Sequence, residues 1–271
     1  VFYFALSAML FRFAANLEIS AILDWPFVWA YLVGTMVVYL LATVVAMTRG
    51  LSVAEAAIEA QCAVIGNVGF LGIPMLVLLL GQAAIGPVMM VLAVDLIVFS
   101  SLVVILITGS RDGRMSFGVL RTVGLGLLKN PMILSISLGL LVSSMAVPIP
   151  VPVNEFLEIL GGAATPGALF AIGASLASKS AERMVIAGWL SFCKLIVHPA
   201  AVAVAALMVF DVNPYAAGVM ITAAALPVAG NVYILAQHYG VAPARVSATI
   251  LLSTGLSVLT ISAVIAWVTS L

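Results

Sequence analysis

Long apolar runs separated by few charges constrain the fold of this chain more than any other feature. A membrane-spanning α-helix needs about 20 mainly apolar residues, and breaks at charges, prolines and glycines leave nine such runs in the 271 residues. Charged residues make up 7% of the chain, against about 25% in soluble domains. The sequence therefore predicts an all-α membrane protein. The predicted spans are approximately 1–17, 27–47, 52–80, 84–108, 131–147, 154–177, 184–210, 214–239 and 243–270.

Lysine and arginine are distributed unequally between the connections. With the longest connection, 110–130, placed in the cytoplasm, alternate connections bring eight of the ten basic residues to that side, and the opposite connections contain none. Cytoplasmic loops of membrane proteins carry such an excess. We therefore expect a multi-pass protein of the cell membrane (the inner membrane in a bacterium), with its C-terminus outside the cytoplasm. Within the connection, 116–128 is predicted to form a helix on the membrane surface.

The composition also narrows the functional classes. The net charge is zero, so no basic surface for a nucleic acid is indicated. The sequence has no HExxH motif and no paired catalytic aspartates, and His198 and His238 have no recognisable nucleophile partner. We predict neither an enzyme nor a cofactor. Cys62 and Cys193 lie inside apolar runs, where packing as small hydrophobes is expected rather than a disulfide or a metal site.

The two halves of the chain resemble each other weakly. The segment 5–17 matches 164–176 with five identities in thirteen, and Val-Ile-Gly-Asn-Val at 64–68 matches Val-Ala-Gly-Asn-Val at 228–232. The matched spans are five apart, an odd number, so the second half must run through the membrane inverted, as in many secondary transporters. We predict a first repeat in 1–109, a cytoplasmic connection in 110–130 and a second, inverted repeat in 131–271. The span 131–147 lacks a partner, so we expect a tenth span before Val1.

Helix-breaking residues recur at corresponding places in both repeats. GNVGFLGIP at 66–74 brings three glycines and a proline into nine residues, and LPVAGNV at 226–232 places a proline near a Gly-Asn pair. Close helix packing through small residues is one interpretation. Because the breaks correspond, we prefer two discontinuous helices that cross near mid-membrane around a polar cavity. Helical hydrogen bonding should be lost around 66–74 and 227–231.

Such a crossing suits an anionic ligand. Half-helix N-termini offer free N–H groups and partial positive charge to a carboxylate, and Asn67 and Asn231 add amide donors without a buried charge. The predicted substrate-binding residues are Gly66, Asn67, Val68, Pro74, Pro227, Gly230 and Asn231.

The broken segments resemble the crossover regions of the auxin efflux carrier family, which includes plant PIN-formed auxin carriers and bacterial carriers for malonate and similar acids. The similarity lies in GNVGFLGIP, in LPVAGNVYILAQHYG and in SATILLSTGLSVLTI at 247–261, and extends to 164–177 and 194–200. One departure is Ser7, where proline is expected opposite Pro166; it affects only the local helix shape. The resemblance implies a ten-helix fold shared with bile-acid symporters and sodium/proton antiporters, an elevator-like mechanism and a homodimer.

Charges inside the spans are costly and usually functional. Asp95 and Lys194 lie near the centres of their spans, and His198 follows Lys194 by one turn on the same face. We expect Asp95 and Lys194 to approach within salt-bridge distance, as a packing pair or as a site that couples transport to a proton or an ion. Arg12 either faces a substrate carboxylate or, as we prefer, extends to the outer surface. Glu55 and Glu59, near the cytoplasmic end of their span, are expected to be solvated.

The sequence thus predicts a secondary transporter in the lipid bilayer for a small organic anion, an auxin-like or malonate-like carboxylate, with a proton or sodium as the candidate coupling ion. A sodium-coupled symporter of the bile-acid type is an alternative, although only Asp95 is available near the crossing as a carboxylate ligand for sodium. A passive channel or a ligand sensor with the same fold is a further alternative.

Overall fold

Helices make up the described chain apart from short connections. The computed structural model describes residues 4–5, 7–16, 24–112, 129, 131–163, 170 and 184–270. Within these ranges there is no β-strand, and one isolated bridge joins Gly66 and Val228. The prediction of an all-α protein is confirmed. The predicted surface helix at 116–128, Pro166 and most of the segment 164–177 lie outside the described residues.

The helices within the described ranges are numbered here in chain order. Three of them, α4, α5 and α8, are continuous helical stretches that include π-helical turns. They are α1 Ser7–Ala15, α2 Trp25–Thr48, α3 Val53–Val64, α4 Val68–Leu80, α5 82–112, α6 Pro131–Ser144, α7 Val151–Gly162, α8 Met184–Val209, α9 Pro214–Ala224, α10 Gly230–Tyr239 and α11 Pro243–Val268.

Local sequence signals set the ends of several helices. Ser52 and Glu55 form a reciprocal capping box at the start of α3, in which each side chain accepts a backbone N–H of the other. Asn213 caps α9 by accepting the N–H of Tyr215 at 3.1 Å, directly before the proline that opens the helix. Gly240 ends α10 at a φ of +65°, a left-handed conformation that glycine adopts without strain.

Four of the described helices are long and apolar enough to cross a membrane, namely α2, α5, α8 and α11. By contrast, α4 and α9 are apolar but shorter. The predicted span 52–80 contains α3 followed by α4, and the predicted span 214–239 contains α9 followed by α10. Each of these two spans is therefore built from two short helices rather than one.

The interruption in the first of these spans is shorter than the sequence predicts. Only residues 65–67 are non-helical, because α4 begins at Val68 with a π-helical turn. The expectation that the helix is broken as far as Pro74 is wrong. Pro74 is the second residue of the regular helix Ile73–Leu80 and directly follows the π-helical turn Val68–Gly72. Such a local turn is one of the adjustments by which membrane helices tolerate proline. In the second span the non-helical residues are 225–229, so the predicted break at 227–231 is wrong at its far end, where Gly230 and Asn231 already belong to α10.

Two groups of helices emerge from the contacts between described elements. The main contacts of α1 are with α6 and α7, whereas the remaining helices contact one another. Glycines permit the close approach of α1: a Cβ on Gly139 would lie 2.6 Å from the carbonyl oxygen of Phe11, and one on Gly161 would lie 3.1 Å from Cα of Met9. Arg12 extends from α1 to α7, where its Nη2 lies 2.8 Å from Oε2 of Glu158.

A buried ion-pair cluster joins α2, α3 and α11 at one end of the group formed by α2–α5 and α8–α11. The carboxylate of Glu59, 1% exposed, accepts hydrogen bonds from Arg49 and, at 2.7 Å, from Arg245. The expectation that Glu59 is solvated is wrong, because its carboxylate is buried against Arg49 and Arg245. Glu55 keeps 34% of its side chain exposed. The cluster places Arg49 and Arg245 at the same end of these helices.

Candidate functional site

The two interruptions run antiparallel and bond to each other. The N–H of Asn67 donates to the carbonyl of Pro227 at 2.8 Å, and the N–H of Ala229 donates to the carbonyl of Ile65 at 3.1 Å. Both segments are buried, and buried backbone groups need partners. Each interruption therefore satisfies part of the backbone that the other leaves without helical hydrogen bonds, which is what allows non-helical chain inside the protein.

Asn67 forms the corner from which α4 starts. Its φ of −76° and ψ of 54°, with the N–H of Val68 donating to the carbonyl of Gly66 at 2.8 Å, describe an inverse γ-turn. The Asn67 carbonyl accepts the N–H groups of Leu71 and Gly72. Its side chain, however, makes no capping bond to the helix. The amide of Asn67 is therefore held at a fixed point by the backbone and left available for another partner.

A small cavity lies at this crossing. Its lining comes from three stretches of chain: residues 65–70, residues 229–231, and Leu92, Asp95 and Leu96 of α5. Its volume is about 20 Å³, room for about one water molecule. A larger ligand therefore requires movement of the surrounding helices.

Unpartnered polar atoms converge on this cavity. Oδ1 of Asn67, Oδ1 of Asn231 and Oδ2 of Asp95 are all buried and have no hydrogen-bond partner, although all three residues line the cavity. Buried polar atoms nearly always have partners, so each exception needs a reason. Each asparagine amide also carries an NH₂ group that can donate. The combination of donors, acceptors and missing partners indicates a polar ligand.

A second set of buried polar groups lies behind the cavity. The hydroxyl of Tyr31 donates to Oδ1 of Asp95 at 2.8 Å. Thr35 Oγ1 lies 3.0 Å from Nε2 of His198, and the other ring nitrogen of His198 lies 3.2 Å from Nζ of Lys194. The Lys194 ammonium also donates to the carbonyl oxygen of Ala224, the last residue of α9.

Asp95 and Lys194 do not form the expected ion pair. Their charged groups do not come within the 4.0 Å of a salt bridge. The prediction of that contact is wrong because each group has a nearer partner: Asp95 has the hydroxyl of Tyr31, and Lys194 has a backbone carbonyl and His198. Both residues lie in π-helical turns, Asp95–Phe99 and Cys193–Val197, which are frequent at functional sites.

The structure brings together most of the predicted site residues. Gly66, Asn67, Val68, Gly230 and Asn231 line the cavity with Asp95. Pro74 lies inside α4 and does not line it, and Pro227 contributes its carbonyl to the backbone pairing instead. Lys194 lies just behind the lining, with Nζ 3.3 Å from the position of a Cβ on Gly66. His198 is one turn further along α8.

Three neutral residues near the site were not identified from the sequence. Tyr31 and Thr35 contact Asp95 and His198, and Ser253 accepts the N–H of Val228 at 3.2 Å. Their spacing in the sequence could have identified them. Tyr31 and Thr35 are four residues apart in an apolar span, and Ser253 belongs to a series of polar residues on α11. That series is Thr249, Ser253 and Ser257.

Comparisons with known proteins agree with this architecture. Residues 1–265 match the family described as "Membrane transport protein" (Mem_trans). One relative, named "Putative malonate transporter", from Rhizobium meliloti (strain 1021), is 28% identical over 268 residues, which are 97% of this chain and 83% of the relative. The family match covers nearly the whole chain, and the apolar helices accord with a multi-pass membrane protein. The chain belongs to the Mem_trans family of membrane transport proteins, the auxin efflux carrier family that its motifs resemble.

Proposed function

We propose that this protein is a secondary transporter that carries a small organic dicarboxylate, of the malonate class, by alternating access. The observation that carries the proposal is the cavity at the paired interruptions, lined by Asn67 and Asn231, whose amide NH₂ groups can donate to a carboxylate. Family membership supports the transport activity. The name of the relative from Rhizobium meliloti supports the substrate class.

The crossing has the chemistry that a carboxylate needs. Two helices, α4 and α10, start beside the cavity, and neither start has a side-chain cap. A helix N-terminus carries partial positive charge and N–H groups that favour anions. Two such termini suit two carboxylates, and the two asparagine amides supply further donors. Each hydrogen bond contributes about 0.5–1.5 kcal/mol net, which allows binding without a fixed countercharge.

The inverted repeat and the mid-membrane crossing are parts of the same proposal. Ile65 and Ala229 occupy equivalent positions in the two Val-X-Gly-Asn-Val motifs, and they are hydrogen-bonded to each other. A pseudo-two-fold axis between two repeats would bring equivalent residues together in this way. The axis would then pass through the crossing and place the substrate between the repeats.

Asp95 gives the proposal a coupling mechanism. Asp95 lines the cavity, its Oδ2 has no partner, and its Oδ1 accepts the hydroxyl of Tyr31. An ionised Asp95 carboxylate would repel an anionic substrate bound in the cavity. A protonated one would donate from Oδ2 to the substrate carboxylate. We therefore expect a proton and the anion to bind together and cross in the same direction. In an Asp95→Asn variant, the amide keeps the donor, so binding should persist and its pH dependence should be lost.

The two groups of helices support movement of an elevator type. The substrate cavity lies entirely within the group formed by α2–α5 and α8–α11, whereas α1, α6 and α7 form the other group. Sliding of the first group against the second would carry the cavity from one side of the membrane to the other. A homodimer would hold the second group still in the bilayer.

Substitution of the two asparagines tests the site. Asn67→Ala and Asn231→Ala should each abolish most of the thermal stabilisation that malonate gives the purified protein, and most malonate counterflow in proteoliposomes. Asn154→Ala is the matched control, because Asn154 lies on α7 and bonds Arg12, away from the cavity. Malonate binding of wild-type strength in Asn67→Ala would exclude this site. No accumulation of any mono- or dicarboxylate by the wild type would exclude the function.

A further inference from the structure

Lys194 occupies the space between the two interruptions. Its side chain is fully buried, and Nζ donates to the carbonyl oxygen of Ala224, where α9 ends. The same Nζ lies 3.3 Å from the position that a Cβ on Gly66 would take. The ammonium therefore contacts the C-terminal end of one half-helix and lies against the interruption that follows the other.

No carboxylate balances this ammonium at close range within the described residues. None of the salt bridges in that part of the chain involves Lys194. Its partners are a carbonyl and Nδ1 of His198 at 3.2 Å. The C-terminal end of a helix carries about half a negative charge, concentrated on the last carbonyls. The end of α9 is therefore a negative group in direct contact with Lys194.

In transporters built from broken helices, such half-helix ends and unwound carbonyls are where a coupling Na⁺ binds. We propose that the Lys194 ammonium is a tethered cation in the place of that Na⁺, so that the protein binds its anion and cycles without sodium. The inference deepens the proposed function and rests on it. It selects the proton-coupled carrier over a sodium-coupled symporter.

Removal of the Lys194 side chain should leave a site that a small cation can occupy. Without the long side chain, the Ala224 carbonyl would lose its cationic partner, and room for a small cation would open beside it. His198 would then offer a neutral nitrogen at the same point. A Lys194→Ala variant should therefore gain a response to Na⁺ that the wild type lacks.

Thermal unfolding of the purified, substrate-free protein in detergent tests the inference with Na⁺ alone as the probe. Melting is compared in sodium chloride and in choline chloride at equal concentration. We expect equal melting temperatures for the wild type in both salts. Lys194→Ala should melt lower in choline and recover by several degrees in sodium, because a cation that binds only the folded state stabilises it. Lys129→Ala, at an exposed lysine, is the matched control and should behave as wild type.

Two results would overturn the inference: Na⁺ stabilisation of the wild type, or a folded Lys194→Ala variant that melts identically in both salts. If Lys194→Ala does not fold, Lys194→Gln removes the charge with a smaller change in volume. A higher melting temperature of Lys194→Gln in sodium than in choline would support the inference, and equal melting temperatures would overturn it. The melting experiment contains no anionic substrate. Failure of malonate to bind the wild type would therefore refute the proposed function without affecting the result for Lys194. Sodium-dependent malonate uptake by the wild type would refute the tethered cation and leave the transporter intact.

Discussion

Replacing Glu59 with glutamine tests whether the buried ion-pair cluster holds the half-helix α3 in place. Glutamine has the shape of glutamate, so packing is nearly unchanged while one negative charge is removed. Among the described residues, Arg245, 7% exposed, would keep one carboxylate within 4.0 Å, that of Glu55 at 3.6 Å. Arg49, 30% exposed, can turn to water. The main cost therefore falls on Arg245.

The structure sets the size of the expected effect. Removing one partner of a buried ion pair destabilises a protein by about 3–5 kcal/mol, because the other charge stays buried without compensation. The remaining contact of Arg245 with Glu55 offsets part of that cost. We therefore expect Glu59→Gln to lower the free energy of unfolding by about 3 kcal/mol, the low end of the range.

Equilibrium unfolding in mixed detergent micelles measures this loss, with the fluorescence of the four tryptophans as the signal. Glu158→Gln is the matched control: it makes the same substitution in the Arg12–Glu158 pair, whose side chains are 28% and 59% exposed. An exposed pair contributes about 0–1 kcal/mol. In a double-mutant cycle, Glu59→Gln and Arg245→Gln should be far less than additive.

Equal losses in Glu59→Gln and Glu158→Gln would refute the reasoning, because burial would then have no effect on the energy of the pair. Additive losses in the cycle would refute the pairing of Glu59 with Arg245 itself. Either result would mean that packing of apolar side chains, rather than the cluster, fixes the start of the first interrupted span.

Three further outcomes follow from single contacts. Gly34→Ala should cost about 1–3 kcal/mol by overpacking, because its Cβ would lie 2.9 Å from a Cα of α8. The same displacement should weaken the hydrogen bond between Thr35 and His198. Thermal melting measures the loss, with Gly188→Ala as the control, since its Cβ would meet no atom within 4 Å. Ser253→Ala should cost about 1–3 kcal/mol by leaving the buried N–H of the second interruption unpaired, whereas Ser262→Ala, on an exposed helix face, should be near neutral. In a background without native cysteines, Ser110→Cys should be labelled only from the cytoplasm and a cysteine in the last turn only from outside; labelling of both from one side would contradict the predicted topology.

The positions of the interruptions could be predicted from the sequence because glycine, proline and asparagine act locally. The extent of the first one could not. A count of helix breakers treats Gly66 and Pro74 alike, yet only Gly66 lies where the backbone leaves the helix. Pro74 follows a π-helical turn, which makes proline compatible with a membrane helix, and that turn begins directly after the residues paired with 227–229.

The partners of the buried charges could not be predicted, for a different reason. Hydropathy gives the depth of Asp95 and Lys194 in the membrane but not the direction in which each side chain points. Their partners are a phenol hydroxyl, an imidazole and a backbone carbonyl, none of which appears in an inventory of charges. Glu59 was misjudged in the same way, because the position of a residue near a span end says nothing about an arginine that arrives from a distant helix.

The pairing of Glu59 with Arg245 has a consequence for the synthesis of the protein. The two residues are 186 positions apart, so at 5–20 residues per second Glu59 waits about 10–40 s for its partner to leave the ribosome. During that time the interruption at 65–67 also lacks the carbonyl of Pro227 and the N–H of Ala229. A nascent chain without α11 therefore holds an incompletely neutralised carboxylate and unpaired backbone in the bilayer. We expect release of the last helix from the translocon to be the step that commits the chain to its fold, and chains that stop short of it to be substrates for membrane proteases.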